Sequence, residues 1–456
     1  MKKIIILGAL CGVLACMPLL QSCSEVLEVK NESGLSNDAA ITDASSVRKV
    51  MVGAYNRMQE VLGRANPSLF AETFSGDVAY TGSDFGYREM WTQNMSLFTG
   101  LPGATWQNAY EAVNTTNNVL AAIEKLSDMD DKEKDRTRGE CYFLRGALHF
   151  EMLRMWGHQP GVAANKIQYG VIIRTEPTIG VSASIKQRAT VTECYDFIID
   201  ELKKAETLLA ANPQSEQGRA TSAIATAYLA RVYFQKNDHA NAYAAADKLV
   251  KSGAYQLQSN VFDVQRKPFT KEAVFQIPVT TANNTSNSLT GMYRKFGTSL
   301  PQFVLSNDFT AFAATFPSTD KRQAFLKTDA SGNYTVKFDT TIMNITVIRY
   351  PEILFIHAES GLETGASEDA VRSDINLIRQ RAGIPELTSA VTGKAALLSA
   401  IDNERHMEMA FEGDRLWYMK RTKSSSIRGL AWDSDQMLAK IPSSEISGNP
   451  GIIPNP

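Results

Sequence analysis

The sequence is poor in the residues that build metal centres and disulfide frameworks. Five cysteines and five histidines occur among 456 residues, and no two histidines lie three to five positions apart. Beyond Cys23 only Cys141 and Cys194 remain, separated by more than fifty residues. These spacings exclude the common zinc motifs. They also leave the chain dependent on a hydrophobic core, for which 44% hydrophobic residues suffice.

Short catalytic motifs are missing as well. The sequence has no nucleophile elbow, no phosphate-cradling glycine loop and no HExxH pattern, and we predict neither a metal nor a cofactor. A formal net charge of -2 gives no sign of nucleic-acid binding. Two acids brought together by the fold could still hydrolyse a glycoside, so a glycosidase remains one alternative.

The N-terminus has the form of an export signal. Two lysines follow Met1, an apolar run extends from Ile4 to Leu20, and a small residue, Ser22, precedes Cys23. This ending resembles a bacterial lipobox, although Gln21 departs from the usual pattern, and ordinary cleavage nearby is the alternative. We predict that residues 1–22 are a lipoprotein signal peptide, that Cys23 is lipidated, and that the polar residues 23–44 form a tether.

Helical periodicity dominates the rest of the chain. Apolar residues at steps of three and four predict helices over residues 104–125 and 135–156. Alanine-rich stretches at 218–235 and 240–252, joined by a polar turn, predict a closely packed helical hairpin of tetratricopeptide type, and residues 351–381 predict a second one. Such hairpins stack into a curved frame because each leaves an apolar face for its neighbour to cover.

Residues 259–346 differ from the frame in composition. Short strand-like pieces at 273–278 and 334–338 lie among Asn, Ser, Thr and Gly. The predicted fold is therefore mainly α, with tetratricopeptide-like helical hairpins forming a curved frame and a loop-rich insertion that contains short β-strands.

Two groups of polar residues on helices have a structural interpretation. Asn117 falls on the inward face of its helix, where a buried amide serves better as a fastener between helices than as a ligand contact. Acids and bases alternate at steps of three and four from Glu404 to Arg415. A catalytic role is the alternative, but such alternation is typical of an ion-pair lattice that holds a helix to its frame.

Several ordered motifs resemble the SusD/RagB family. Residues Gly139–Gly146 read GECYFLRG, similar to the family's EARFLRA helix, and Met155–Gly157 stand where that helix ends in LYG. Residues Glu404–Gly413 read ERHMEMAFEG against the family's ERRxELAFEG, with His406 in place of Arg. Further matches in the same order are Trp106 to Asn117, Lys271–Ile277, Asp320–Arg322, Ile348–Leu354 and Asn376–Gly383.

The resemblance implies a function and a set of partners. Members are non-enzymatic, lipid-anchored proteins of the outer-membrane surface that bind oligosaccharide or polysaccharide and deliver it to a SusC-like TonB-dependent barrel transporter. It also implies an N-terminal part at residues 45–258 and a C-terminal part at 259–456, packed on one frame. The alternative of another class is a helical-repeat adaptor that binds a protein or peptide on its curved face.

Two segments are candidate glycan sites. Residues Ser75 to Phe98 mix glycines with aromatic and short polar side chains that lack a helical period, a composition suited to the C–H faces and hydroxyls of sugars. These rings could equally be core anchors of an irregular segment. The second candidate is the polar loop from Thr281 to Phe296. The predicted ligand-binding residues are Tyr80, Asp84, Phe85, Tyr87, Trp91, Asn94, Asn283, Asn284, Tyr293 and Arg294.

Overall fold

The computed structural model describes residues 41–180, 185–330 and 332–456. The predicted signal peptide, Cys23 and most of the predicted tether lie outside the described residues. Residues Ile41–Pro456 form one compact unit. Within the described ranges, no helix combines the length and the apolar composition needed to cross a membrane.

Helices dominate the N-terminal half, as predicted. The helix Asp131–Trp156 is capped by Asp130, which accepts a hydrogen bond from the Glu133 amide. It therefore begins earlier than the predicted residue 135. The helices are α1 (Ala44–Met58), continued by a π-helical turn (Gln59–Gly63), α2 (Asn66–Ser75), α3 (Phe85–Trp91), α4 (Gly100–Ile123), α5 (Asp131–Trp156) and α6 (Val191–Ala211).

The long helices α5 and α6 pack closely along their length. Two glycines of α5 make this approach possible, because a Cβ on Gly139 would lie 2.9 Å from Leu209 Cγ and a Cβ on Gly146 would lie 2.9 Å from Leu202 Cγ. Asn117 of α4 is buried and donates to the Arg174 and Glu176 carbonyl oxygens. It also accepts from Arg145 of α5 at 2.9 Å. Asn117 is thus the predicted fastener between segments.

Both predicted hairpins are present. The first consists of α7 (Ser222–Gln235) and α8 (His239–Ser252), and α8 ends at Gly253 in the left-handed conformation. Ala227 is fully buried on α7. The second hairpin consists of α12 (Tyr350–Glu363) and α13 (Glu368–Ala382), and α8 packs against α12. The mainly α, tetratricopeptide-like prediction is confirmed. The predicted boundary at residues 258–259 lies in the loop after α8 and stays a prediction.

The insertion between the hairpins carries most of the short strands, and β1 (Val78–Tyr80) lies earlier in the chain, before the first hairpin. Strand β1 pairs antiparallel with β3 (Phe303–Leu305), β2 (Ala273–Ile277) with β6 (Ile345–Arg349), and β4 (Leu326–Asp329) with β5 (Gly332–Thr335). The helices in this region are α9 (Asp263–Arg266), α10 (Asn287–Tyr293) and α11 (Asn307–Ala313). After the second hairpin follow α14 (Lys394–Met409), α15 (Asp414–Arg421) and α16 (Ser443–Gly448).

A buried ion-pair lattice joins α14 to the rest of the frame. Glu404 pairs with Arg322 at 3.0 Å, and Arg405 pairs with Asp414 at 2.6 Å. Glu408 accepts from Arg349 of β6 and from Arg381 of α13. The predicted lattice exists, but its pairs are buried rather than surface-exposed, so each partner depends on the other for compensation of its charge.

Candidate functional site

The first candidate segment is built on β1 and α3. Asp84 is exposed and caps α3 by accepting a hydrogen bond from the Tyr87 amide at 2.9 Å. The sequence suggested an irregular segment, yet residues Phe85–Trp91 are helical. A seven-residue helix spans only two turns, which is too short for a stripe of apolar residues to be visible in the sequence.

An aromatic cluster supports this segment from beneath. Tyr80 lies 5.9 Å from Tyr87 and 5.9 Å from Phe303 of β3, measured between ring centroids. Tyr80 is buried, and its hydroxyl donates to the Asp84 carbonyl oxygen at 3.2 Å. Tyr87 is half-buried, and burial raises the pKa of its phenol above the ordinary value. These two tyrosines fix the position of α3 relative to β1 and β3.

Two phenylalanines at this place face solvent. Phe85 is 72% exposed and Phe98 is 79% exposed. The segments that carry them approach each other closely. A Cβ built on Gly86, next to Phe85, would lie 3.4 Å from the amide nitrogen of Gly100, two residues after Phe98. Glu89 of α3 accepts from the Thr99 hydroxyl at 2.5 Å, which ties the loop before α4 to α3. Phe98 was not among the predicted residues, since nothing in its neighbourhood sets it apart in the sequence.

Trp91 is half-buried at the end of α3. Its indole Nε1 lies 3.4 Å from the Val78 carbonyl oxygen, and the Arg428 guanidinium lies 5.0 Å from the ring centroid. Arg428 also donates to the carbonyl oxygens of Thr73 and Trp91 at 2.6 and 2.7 Å. The Trp91 ring is therefore held on one side by Arg428. Asn94, just beyond the helix, is exposed.

The second candidate loop divides into two places. Asn283 donates to Gln59 at 3.1 Å, and Asn284 donates to the Thr341 carbonyl oxygen at 2.9 Å. Tyr293, by contrast, is buried behind the first segment, and its ring centroid lies 5.4 Å from that of Phe303. The loop therefore does not bring all its predicted residues to one surface.

Residues 294–296 continue from the buried Tyr293 to the surface. Arg294 Nε lies 3.3 Å from Asp339 Oδ1, and the Arg294 guanidinium carbon lies 5.1 Å from the Phe296 ring centroid. Phe296 is 60% exposed. Like Phe98, it was missed by the sequence analysis. Phe296 forms a local antiparallel bridge with Ser299, a turn that composition alone does not reveal.

The structure thus separates the predicted site residues into two classes. Tyr80 and Tyr293 are buried and present no ring face to solvent. The others are exposed or half-buried: Asp84, Phe85, Tyr87, Trp91, Asn94, Asn283, Asn284 and Arg294. Through the β1–β3 pairing and the Phe303 contacts, the first segment and the end of the second loop share one aromatic base.

Comparison with protein families gives two matches along the chain. Residues 25–234 match a family described as starch-binding and associating with the outer membrane. Residues 321–440 match the SusD family. A SusD-like protein, P38, from Formosa agariphila is 22% identical over 92% of this chain and 93% of its own length. A second, P2, from the same organism is 24% identical over 83% of this chain and 85% of its own length.

Solved structures have the same fold. A SusD superfamily protein from Bacteroides thetaiotaomicron superposes with a TM-score of 0.80 at 23% identity, covering 91% of this chain and 100% of that one. A laminarin-binding SusD-like protein superposes with a TM-score of 0.74 at 19% identity, with the same coverage of both chains.

Proposed function

The chain belongs to the SusD family, and we propose that it captures oligosaccharide at the exposed aromatic surface around α3 without cleaving it. One observation carries this proposal: Phe85 and Phe98 are 72% and 79% exposed beside a short helix that is held firmly from beneath. Large apolar rings on a braced surface indicate a binding site more than a packing role.

The chemistry around these rings suits a sugar. Phenylalanine faces can pack against the C–H faces of pyranose rings, and exposed Asp84, Arg88 and Asn94 supply acceptors and donors for hydroxyl groups. Arg88 is positioned by donating to the Gly82 carbonyl oxygen at 2.8 Å. We add Phe98 and Phe296 to the predicted contacts, and we leave out Tyr80 and Tyr293 because they are buried. The laminarin-binding neighbour supports a glycan as ligand.

The family also supports a place and a partner for this activity. We propose that Cys23 carries lipid, that the protein is anchored in the outer membrane and faces the cell surface, and that it delivers glycan to a SusC-like TonB-dependent barrel.

Replacing Cys23 with Ser should release the protein from membranes and abolish labelling by a fatty-acid analogue. Co-purification with a barrel transporter in mild detergent tests the proposed partnership. Failure of the two proteins to co-purify would count against that partnership.

Calorimetric titration of single and double variants tests the binding surface. The titrant is laminarin oligosaccharide first, followed by hits from a glycan array. Phe85→Ala and Phe98→Ala should each lower affinity by about 1 kcal/mol, or about fivefold, because each removes one stacking face. Leu377→Ala is the matched control, since Leu377 is 43% exposed on α13, outside this surface.

The same variants distinguish the alternatives. An adaptor that binds peptide on the hairpins would bind no glycan on the array and would be insensitive to loss of both phenylalanines. A glycosidase would release reducing ends from the glycan that it binds. Full glycan affinity in the folded Phe85→Ala, Phe98→Ala double variant would remove this surface from the function.

A further inference from the structure

One histidine lies at the contact between the two helical hairpins. His357 belongs to α12 of the second hairpin, and its ring stacks on Tyr243 of α8 in the first hairpin, with centroids 4.6 Å apart and 17° between the ring planes. Gly361 of α12 makes this stacking possible, because a Cβ there would lie 2.9 Å from Tyr243 Cε2. The His357 side chain is only 12% exposed. The imidazole is therefore largely enclosed between the hairpins.

The two nitrogen atoms of this ring face carboxylates on different helices. His357 Nδ1 lies 2.6 Å from Asp374 Oδ2 of α13, within hydrogen-bond distance. His357 Nε2 is buried and lies 3.4 Å from Asp247 Oδ1 of α8. A neutral imidazole has a single N–H group, so one of its nitrogens would direct a lone pair towards an acid. Only the doubly protonated ring directs an N–H group at each carboxylate.

The groups around the ring also favour a positive charge on it. The ion pairs described for His357 are those with Asp374 and Asp247, and they include no group of α7 or α14, the other helices packed on α12. Lys251 binds the second oxygen of Asp247 at 2.8 Å, and Tyr350 is the phenol that faces Asp374. Burial by itself lowers the pKa of His357, but Asp374 and then Asp247 raise it above the ordinary value of 6.5.

A proton on His357 therefore stabilises the contact between the hairpins. A group whose pKa is higher in the folded than in the unfolded state contributes fully below the unfolded value, and this contribution is lost as the pH rises through the folded value. Above the folded value, one of the two acids faces a lone pair. The attraction between α12 and its neighbours α8 and α13 is then weaker.

We propose that His357 is a pH-dependent clamp of the helical frame. The doubly protonated ring ties α8 and α13 to α12, and loss of a proton loosens the contact between the two hairpins. Mildly acidic surroundings stiffen the frame, and mildly alkaline surroundings let the hairpins move. The clamp belongs to the frame and does not depend on the proposed glycan surface.

Thermal unfolding of the full chain between pH 6.5 and pH 8.5 tests the clamp. The melting temperature of the unaltered protein should fall by about 1 to 3 °C more than that of His357→Gln, whose amide cannot take up a proton. Other groups that titrate in this range, such as Glu72 with a pKa of about 8, contribute equally to both proteins and cancel in the difference.

His239→Gln is the matched control. His239 Nδ1 lies 3.4 Å from Ser360 Oγ in the same contact between α8 and α12, but His239 forms no ion pair among the described residues. Burial lowers the pKa of His239 from 6.5, so its titration lies below the range of the experiment. This variant should keep the pH dependence of the unaltered protein.

Two measurements on the unaltered protein do not depend on the folding of a variant. Hydrogen–deuterium exchange, corrected for the intrinsic effect of pH, should show α8, α12 and α13 losing protection by about three- to tenfold between pH 6.5 and pH 8.5, while α5 and α6 keep theirs. In NMR of a histidine-labelled sample, the ring signal that contacts Tyr243 should titrate with a midpoint above 6.5. Unchanged protection of α8, α12 and α13, or a midpoint at or below 6.5, would overturn the proposal.

Discussion

The ion-pair lattice around α14 and the surface around α3 each hold side chains in an environment that is energetically unfavourable for them. The two environments are opposite. Around α14, charged groups such as Glu408 and Arg349 are buried and paired. Around α3, apolar rings such as Phe85 and Phe98 are exposed. Buried pairs serve the fold, because each charge must find its partner inside it. Exposed rings gain little from folding, and under the proposed function they contact glycan, so the contrast separates the frame from the proposed site.

Breaking the lattice should give the largest effect. Glu408→Gln keeps the shape but removes one of the two carboxylates that Arg349 and Arg381 share and leaves them Glu272, so we expect a loss of about 3 kcal/mol in the free energy of unfolding by urea. The control Glu216→Gln changes an acid whose side chain is 72% exposed and should cost less than about 1 kcal/mol. Equal effects of the two changes would show that the lattice does not support the frame.

The arginine partners also lower the pKa of Glu408 below its ordinary value. A carboxyl whose pKa is lower in the folded than in the unfolded state stabilises fully above the unfolded value and loses that contribution as pH falls. The unaltered protein should therefore become less stable as the pH falls below about 4.5, and Glu408→Gln should show a weaker decline.

Glu72 should give the opposite pH dependence. Its carboxyl is buried near Asp77, and desolvation together with that acid raises the pKa of Glu72 to about 8. Between the unfolded pKa near 4.5 and the folded value, the folded state holds one proton more, so stability falls as the pH rises through this range. Glu72→Gln should remove a decline of about 1 to 4 kcal/mol between pH 5 and pH 8, measured by urea unfolding. An unchanged slope would show that Glu72 ionises normally.

The hairpin contact should give a smaller effect. Ala227→Leu places three extra carbons on a fully buried position of α7, which should cost about 1 to 3 kcal/mol of stability through overpacking. Glycan affinity should stay unchanged because the residue belongs to the frame. The exposed Ala244→Leu on α8 is the control. If Ala227→Leu abolished binding at unchanged stability, the hairpin would be part of the site.

The frame was predictable because its signals are local and repeated. Alanines at helical spacing predicted α7 and α8, and charges at steps of three and four predicted the α14 lattice. Gly413 shows why the motif residues are structural: it has a left-handed backbone, and a Cβ there would lie 2.4 Å from Ser68 Cα. That neighbour is far away in sequence, so the reason for the glycine is visible only in the fold.

Glycines and aromatics in the sequence indicated the segment around α3 as a candidate site, and that role stays a prediction. The sequence did not indicate which of the rings in this segment are buried. Tyr80 is covered because β1 pairs with β3, more than 220 residues later. Phe98 is exposed, in a loop that the hydrogen bond from Thr99 to Glu89 ties to α3. The exposure of each ring is therefore visible only in the folded chain.

Trp91 should give the smallest effect, and it tests whether frame and site are separate. The Arg428 guanidinium covers one side of the ring, so the open side alone is available to stack on glycan. Trp91→Ala should weaken glycan binding by about 1 kcal/mol and lower stability by a similar amount, well short of the 3 to 5 kcal/mol of a core residue. Calorimetric titration and urea unfolding of the same sample measure both.

Trp91→Phe separates the two contributions. It keeps a ring beneath Arg428 but removes the weak donor to the Val78 carbonyl oxygen, whose 3.4 Å length suggests a cost near the lower end of about 0.5 to 1.5 kcal/mol. Glycan affinity should survive this change if ring stacking is what binds. Intact affinity in a well-folded Trp91→Ala variant would instead assign Trp91 to the frame. The binding surface would then rest on Phe85, Phe98 and Phe296, whose rings are 72%, 79% and 60% exposed.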